Sequence, residues 1–128
     1  MARHLELGKQ GEKLCMKHFV KLGFKILEQN YWKKWGEIDI IAKKDNVLHF
    51  IEVKSVSYET DFDNFIPEEN IHKFKKERLK RVINTYLAEN PPAGGVTHET
   101  KFQIDVAAIF LNPATGESKI RITEDVIL

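Results

Sequence analysis

Two hydrophobic rhythms alternate along the chain. From His4 to Leu22, apolar residues recur every three to four places, at Leu14, Cys15, Phe19 and Leu22 with His18 at the margin, which predicts an amphipathic helix that Gly23 brings to a stop. Aromatic and branched residues then crowd Phe24 to Trp32, Glu37 to Lys43 and Val47 to Val56, which predicts three strands in succession. An acidic loop runs on to Pro67. Between Asn70 and Glu89 the helical rhythm returns, with Ile71, Phe74, Leu79, Val82, Ile83, Tyr86 and Leu87 on one face and Pro91-Pro92-Ala93-Gly94-Gly95 as the break. Lys101 to Leu111 reads as a fourth strand, Asn112 to Glu117 as a turn and Lys119 to Leu128 as a last strand. The order is helix, three-stranded meander, helix, strand, strand. This is an α/β arrangement, a mixed sheet flanked by helices, with the second helix as a crossover.

Length changes this picture little: 128 residues suit one domain spanning 1–128. The hydrophobic share of 42% is enough for a real core, yet no run approaches the roughly 18 apolar residues of a membrane helix. The first residues, Met1-Ala2-Arg3-His4-Leu5-Glu6, lack the order of a secretory signal, so we expect a soluble, cytoplasmic protein with no membrane partner. The single cysteine, Cys15, forms no internal disulfide and reads as a small buried hydrophobe. The five histidines show no zinc spacing.

Candidate chemistry lies in Gly36-Glu37-Ile38-Asp39-Ile40-Ile41-Ala42 and Phe50-Ile51-Glu52-Val53-Lys54. Asp45-Asn46 between them suits a two-residue turn. Such a turn sets Asp39 opposite Glu52 and Glu37 opposite Lys54, with opposed Cβ atoms about 5 Å apart. Opposed carboxylates repel, and a hard divalent cation such as magnesium is the natural compensation. Lys54, two residues beyond Glu52, shares its face. Two carboxylates to hold a metal and a cation beside them meet the needs of phosphodiester hydrolysis, in which charge builds on a phosphorane. The plain alternative is an ordinary cross-strand ion pair on a solvated face.

These segments, together with Gly8-x-x-Gly11-Glu12, Asn30, Lys75 ahead of Tyr86-Leu87, and Ile104-Asp105-Val106, resemble the YraN-like family of predicted endonucleases over roughly residues 5 to 110. That family is similar to the archaeal Holliday-junction resolvases within the restriction-endonuclease-like, PD-(D/E)xK fold. The resemblance implies a magnesium- or manganese-dependent endonuclease with Glu12, Asp39, Glu52 and Lys54 as catalytic residues. Asp39, Glu52 and Glu12 would be the metal ligands. Its implied substrate is branched, flapped or irregular DNA in repair or recombination. Glu12 falls on a largely inward helix stripe with Gly8, Cys15 and Phe19, where a carboxylate needs a partner; a nearby lysine is the other reading. Asp105, mid-strand among apolar residues, reads as a structural hydrogen-bonding group. The chain departs from the family at Trp32, Val56 and Gln103, where relatives carry arginine.

Charge supplies the partner surface. The net charge of +1 hides a polarised molecule: Glu59 to Glu69 is acidic, and Ile71 to Arg81 carries six Lys/Arg and one Glu. Lys73, Lys76 and Lys80 form one helical row and Lys75 sits on the next; with Lys33 and Lys34 they are the expected nucleic-acid contacts, which read charge and shape rather than base sequence. Tyr31, Trp32 and Trp35 flank the last two and offer surfaces for stacking on unpaired bases, with core packing as the alternative for Trp32. DNA with branched or single-stranded regions is the leading partner and RNA the second. A non-cutting binding module and an RNA-processing nuclease remain open as other readings. The apolar end Val126-Ile127-Leu128 offers an edge for a homodimer.

Overall fold

A computed structural model describes the backbone of residues 2–57, 73–91, 95, 100–112 and 114–126, and side chains over the same ranges except 2–7, 57 and 73–75. Its elements run α1 (Ala2–Lys21), β1 (Lys25–Lys33), β2 (Gly36–Lys44), β3 (Val47–Ser57), α2 (Lys73–Glu89), β4 (Phe102–Leu111) and β5 (Ser118–Thr123). The expected order therefore holds. The acidic stretch from Glu59 to Glu69, the apolar residue Ile71, the side chain of Phe74 and the break at 92–94 lie outside what is described.

Helix α1 stops where the glycine was expected. Gly23 has a left-handed φ of 93°, its N–H donates to Val20 O (3.0 Å), and Phe24 N–H reaches back to Phe19 O (3.0 Å). This is the double reverse bond that satisfies the last carbonyls of a helix and lets glycine turn the chain. Asp45 and Asn46 both take positive φ, 52° and 64°, as a primed two-residue hairpin turn demands. The turn fixes the β2–β3 register, with Lys44 beside Val47, Ile41 beside Phe50 and Ile40 beside Ile51.

The strands lie in the order β1-β2-β3-β4-β5. Neighbours are antiparallel except β3 and β4, which run parallel and are joined through α2. Each helix covers one face. Cys15 and Phe19 of α1 pack with Phe24, Ile40, Ala42, Ile51, Ala107 and Ile109. Leu79, Val82, Ile83, Tyr86 and Leu87 of α2 pack with Ile38, Ile41 and Phe50. A sheet covered on both sides explains why β2 reads as a continuous apolar run rather than an alternating one. Truncating Phe19 in such a core costs about 3–5 kcal/mol. No described helix is long and apolar enough to cross a membrane.

The last strand is shorter than expected. It ends at Thr123 rather than continuing to Leu128. Asp125 adopts a left-handed φ of 53°, its N–H donates to the Asp105 carboxylate (3.0 Å), and Val126 N–H donates to Ile104 O (2.7 Å). Buried acceptors on β4 thus pull the chain out of the sheet. Val126 is buried against Val106; Ile127 and Leu128 lie outside the described residues.

Candidate active site

The sheet forks at Asp39. Beyond the Ile40–Ile51 pair, β2 stays with β1 as far as the Lys33–Gly36 pair, and β3 stays with β4 as far as Ser57–Leu111. Asp39 sits in the crotch. Its Oδ2 accepts the N–H of Val53 at 2.8 Å, so a side chain takes a backbone donor where the β2–β3 ladder gives out. The apolar pattern slips by one place here too, since Ile38 and Ile41 pack toward α2 while Ile40 and Ala42 pack toward α1. Unbroken alternation from Ile40 would put Ile38 on the α1 side; it turns to α2 instead.

Asp39 and Glu52 are both buried, 9% and 8% exposed. Burial, then the charge of Glu52, pushes the Asp39 carboxyl up to about 7; the Val53 N–H opposes the shift and the charges of Glu12 and Glu37 add to it. Four carboxylates therefore share one electrostatic neighbourhood, contributed by α1, β2 and β3. Val53 and Ser55 face α1, because one packs with its core and the other lies against Gly11. Strand alternation then sends Glu52 and Lys54 out on the other face together, as expected.

Gly11 explains how Glu12 gets there. A Cβ at Gly11 would stand 3.0 Å from Ser55 Oγ and 3.2 Å from Ile109 Cδ1, so α1 lies close to β3 and β4 here and a larger residue would push on both side chains. The next residue, Glu12, is half-buried, and its charge is felt at Asp39 and at Cys15. Cys15 is fully buried; burial, helped by Asp39 and Glu12, pushes its thiol up to about 12, which leaves it an inert packing residue.

The profile of the uncharacterised protein family UPF0102 matches residues 11–109, a span that holds Glu12, Asp39, Glu52, Lys54 and Asp105. The chain belongs to this family. A UPF0102 protein of Campylobacter fetus is 40% identical over 105 residues, 82% of this chain and 84% of its own. One from Flavobacterium johnsoniae is 37% identical over 118 residues, covering 92% and 89%. Another from Campylobacter hominis is 34% identical over 128 residues, covering 98% and 97%. UPF0102 is the YraN-like family that the motifs resemble.

The expected basic contacts of this UPF0102 chain divide. Lys33 is tied to Glu89 of α2, 2.8 Å from Oε1 and 3.1 Å from Oε2, and Tyr31 OH donates to the same Oε2 at 3.1 Å. Lys33 thus braces the β1–β2 hairpin against α2. Lys34 and Lys80 are exposed, Lys80 lying a loose 3.9 Å from Glu77, and Lys76 is half-buried. The side chains of Lys73 and Lys75 are outside the described residues.

Sequence reasoning missed two features. Arg81 stacks over the Trp35 ring, 4.4 Å from its centroid; Arg78, which the sequence places on the helical row of Lys75, lines a cleft beside the hairpin. It also missed His49, buried at 6% exposure, whose Nδ1 donates to Asp105 Oδ2 at 2.7 Å. Gln103 Nε2 donates to Asp105 Oδ1 at 2.9 Å, where relatives were expected to place an arginine. The parallel β3–β4 register pairs His49 with Gln103, and that register was not legible before the crossover was known. Asp105 itself is the structural group it was expected to be.

Proposed function

We propose that the chain is a metal-dependent endonuclease of the PD-(D/E)xK type, acting in the cytoplasm on branched, flapped or otherwise irregular DNA. The observation that carries this reading is the carboxylate cluster at the fork of the sheet, centred on buried Asp39. A fold gains nothing in stability by burying Asp39 beside Glu52 and within the field of Glu12 and Glu37. A divalent cation would relieve that repulsion.

The donor set fits a hard cation, since it offers carboxylate oxygens only. Among the described residues, no group of three or more His, Cys, Asp or Glu side chains is placed to hold a metal ion. Magnesium is commonly held by one or two carboxylates with water completing its shell, so Asp39 and Glu52 are the residues that would hold it. Glu12, on the neighbouring helix, would act through water. When bound, magnesium or manganese would supply an activated water and offset the charge that grows on phosphorus. Lys54 adds a fixed cation on the same face as Glu52. The Val53 N–H holds the Asp39 carboxylate in one orientation. Burial of both carboxylates in a low-dielectric fork strengthens each of these interactions.

The test is cleavage of a labelled panel of four-way junction, flap, single-stranded DNA and RNA with magnesium or manganese, comparing the wild type with Asp39→Ala. Metal-dependent cutting that disappears in the variant supports the reading. Binding without any cutting by pure wild-type protein would make the chain a binding module, and cutting of RNA alone would make it an RNA-processing enzyme.

A further inference from the structure

A cleft of about 240 Å³ opens between the tip of the β1–β2 hairpin and α2, lined by Trp32, Lys33, Lys34, Trp35, Glu37 and Arg78, with Gly36 at its base. A Cβ at Gly36 would stand 3.0 Å from Val82 Cγ2 and 3.5 Å from Arg78 Cβ, so glycine is what seats the hairpin tip on the helix. The Lys33–Glu89 bridge and the Tyr31–Tyr86 ring contact, centroids 5.2 Å apart, hold it there. Trp35 is pinned beneath Arg81. Every other aromatic of the hairpin is thus packed, yet Trp32 stands 66% exposed. The braced hairpin thus presents one large exposed indole at the cleft, a flat apolar surface on which a base can stack.

We propose that this cleft binds one unpaired nucleotide of a nucleic-acid strand, its base stacked on Trp32 and its phosphate drawn to Lys34 and Arg78. The proposal rests on the nuclease reading for its purpose, and it names the substrate feature that the carboxylate site acts beside. Three arguments support it. A base inside a duplex has both faces stacked already, so a single exposed indole selects a nucleotide that has left the helix. The cleft is the size of one nucleotide and too small for a duplex groove. Glu37, two residues before Asp39 on β2, also lines the cleft, and its charge disfavours a phosphate beside it. The strand is thereby oriented, with the phosphate at the lysine end and the base over Trp32.

Fluorescence separates this proposal from the cleavage reading. The full chain is titrated in EDTA with a ten-residue oligothymidylate and with a blunt twelve-base-pair duplex, at several salt concentrations. Base stacking should quench the indole emission with the oligothymidylate far more than with the duplex. Trp32→Ala should remove that quench and weaken binding about 5- to 100-fold, whereas Trp32→Phe, which keeps a ring, should retain most of the affinity. Lys34→Gln should flatten the slope of log affinity against log salt by about 0.7. Binding by Trp32→Ala equal to wild type, or no binding of oligothymidylate by wild type at low salt, overturns the proposal, even if metal-dependent cutting is found. A change of oligomeric state on Trp32→Ala, with affinity unchanged, overturns it in favour of a protein contact. Trp32-dependent binding without any cutting sustains the nucleotide site and removes the nuclease.

Discussion

Two aspartates are buried in the middle of this sheet, and their surroundings are opposite. Asp105 is fully buried and receives three donors, from His49, Gln103 and the backbone of Asp125. Asp39 is 9% exposed and accepts one hydrogen bond among the described residues, from Val53, with three carboxylates raising its proton affinity. The first is what a fold does with a buried carboxylate when stability is the aim. On the nuclease reading, the second is a carboxylate kept for a metal ion that the chain itself does not supply. Burial alone does not separate the two aspartates; their neighbours do, with donors around Asp105 and like charges around Asp39.

The comparison is most strongly tested by removing each acid. Asp39→Ala or Glu52→Gln should lower metal-dependent cleavage by at least about 100-fold while the thermal transition stays cooperative. Asp105→Ala should do the reverse, leaving His49, Gln103 and the Asp125 N–H without their acceptor and costing about 3–5 kcal/mol in urea unfolding. A loss of activity in Asp105→Ala beyond what unfolding explains would erase the distinction.

Stability against pH sharpens it further. Asp39 keeps its proton to about pH 7 in the folded chain but only to the ordinary carboxylate range when unfolded, so between these limits the folded state binds more protons. This group therefore favours folding at low pH, and its contribution is lost as the pH rises through about 7. Asp39→Asn keeps an oxygen for Val53 and carries no charge; it should be more stable than wild type by about 1–3 kcal/mol at pH 8 and equal to it near pH 4. Chemical denaturation at the two pH values, in EDTA, checks this. A destabilised Asp39→Asn at pH 8 would mean that the surroundings of Asp39 favour its charged form.

The smallest effect concerns how Glu12 is delivered. Gly11→Ala should cost about 1–3 kcal/mol through contact with Ser55 and Ile109, and Ser55→Ala in the same chain should recover part of it. Additive losses in the double variant would show that α1 does not rest on β3 through this contact.

Much of this was legible in the sequence. The Asp45-Asn46 turn and the apolar runs on either side set the register, and with it the proximity of Asp39 and Glu52. Gly23 set the end of α1. The fork was not legible, because it arises when the Asp39 side chain takes the Val53 N–H, a substitution of side chain for ladder that no periodicity reveals. Nor was the end of β5: Val126-Ile127-Leu128 looks like strand until Asp105, twenty residues away in sequence, captures Asp125. Local pattern fixes elements and turns; contacts between distant buried polar groups decide where elements part.

Calorimetric titration of manganese into the metal-free full chain at pH 7 and 8, for the wild type, Asp39→Asn and Glu52→Gln, tests the central claim most directly. The account predicts saturable binding by the wild type, tighter at pH 8 and accompanied by proton release at pH 7, and at least about tenfold weaker in either variant. Equal binding by all three proteins, or none by the wild type, would contradict it.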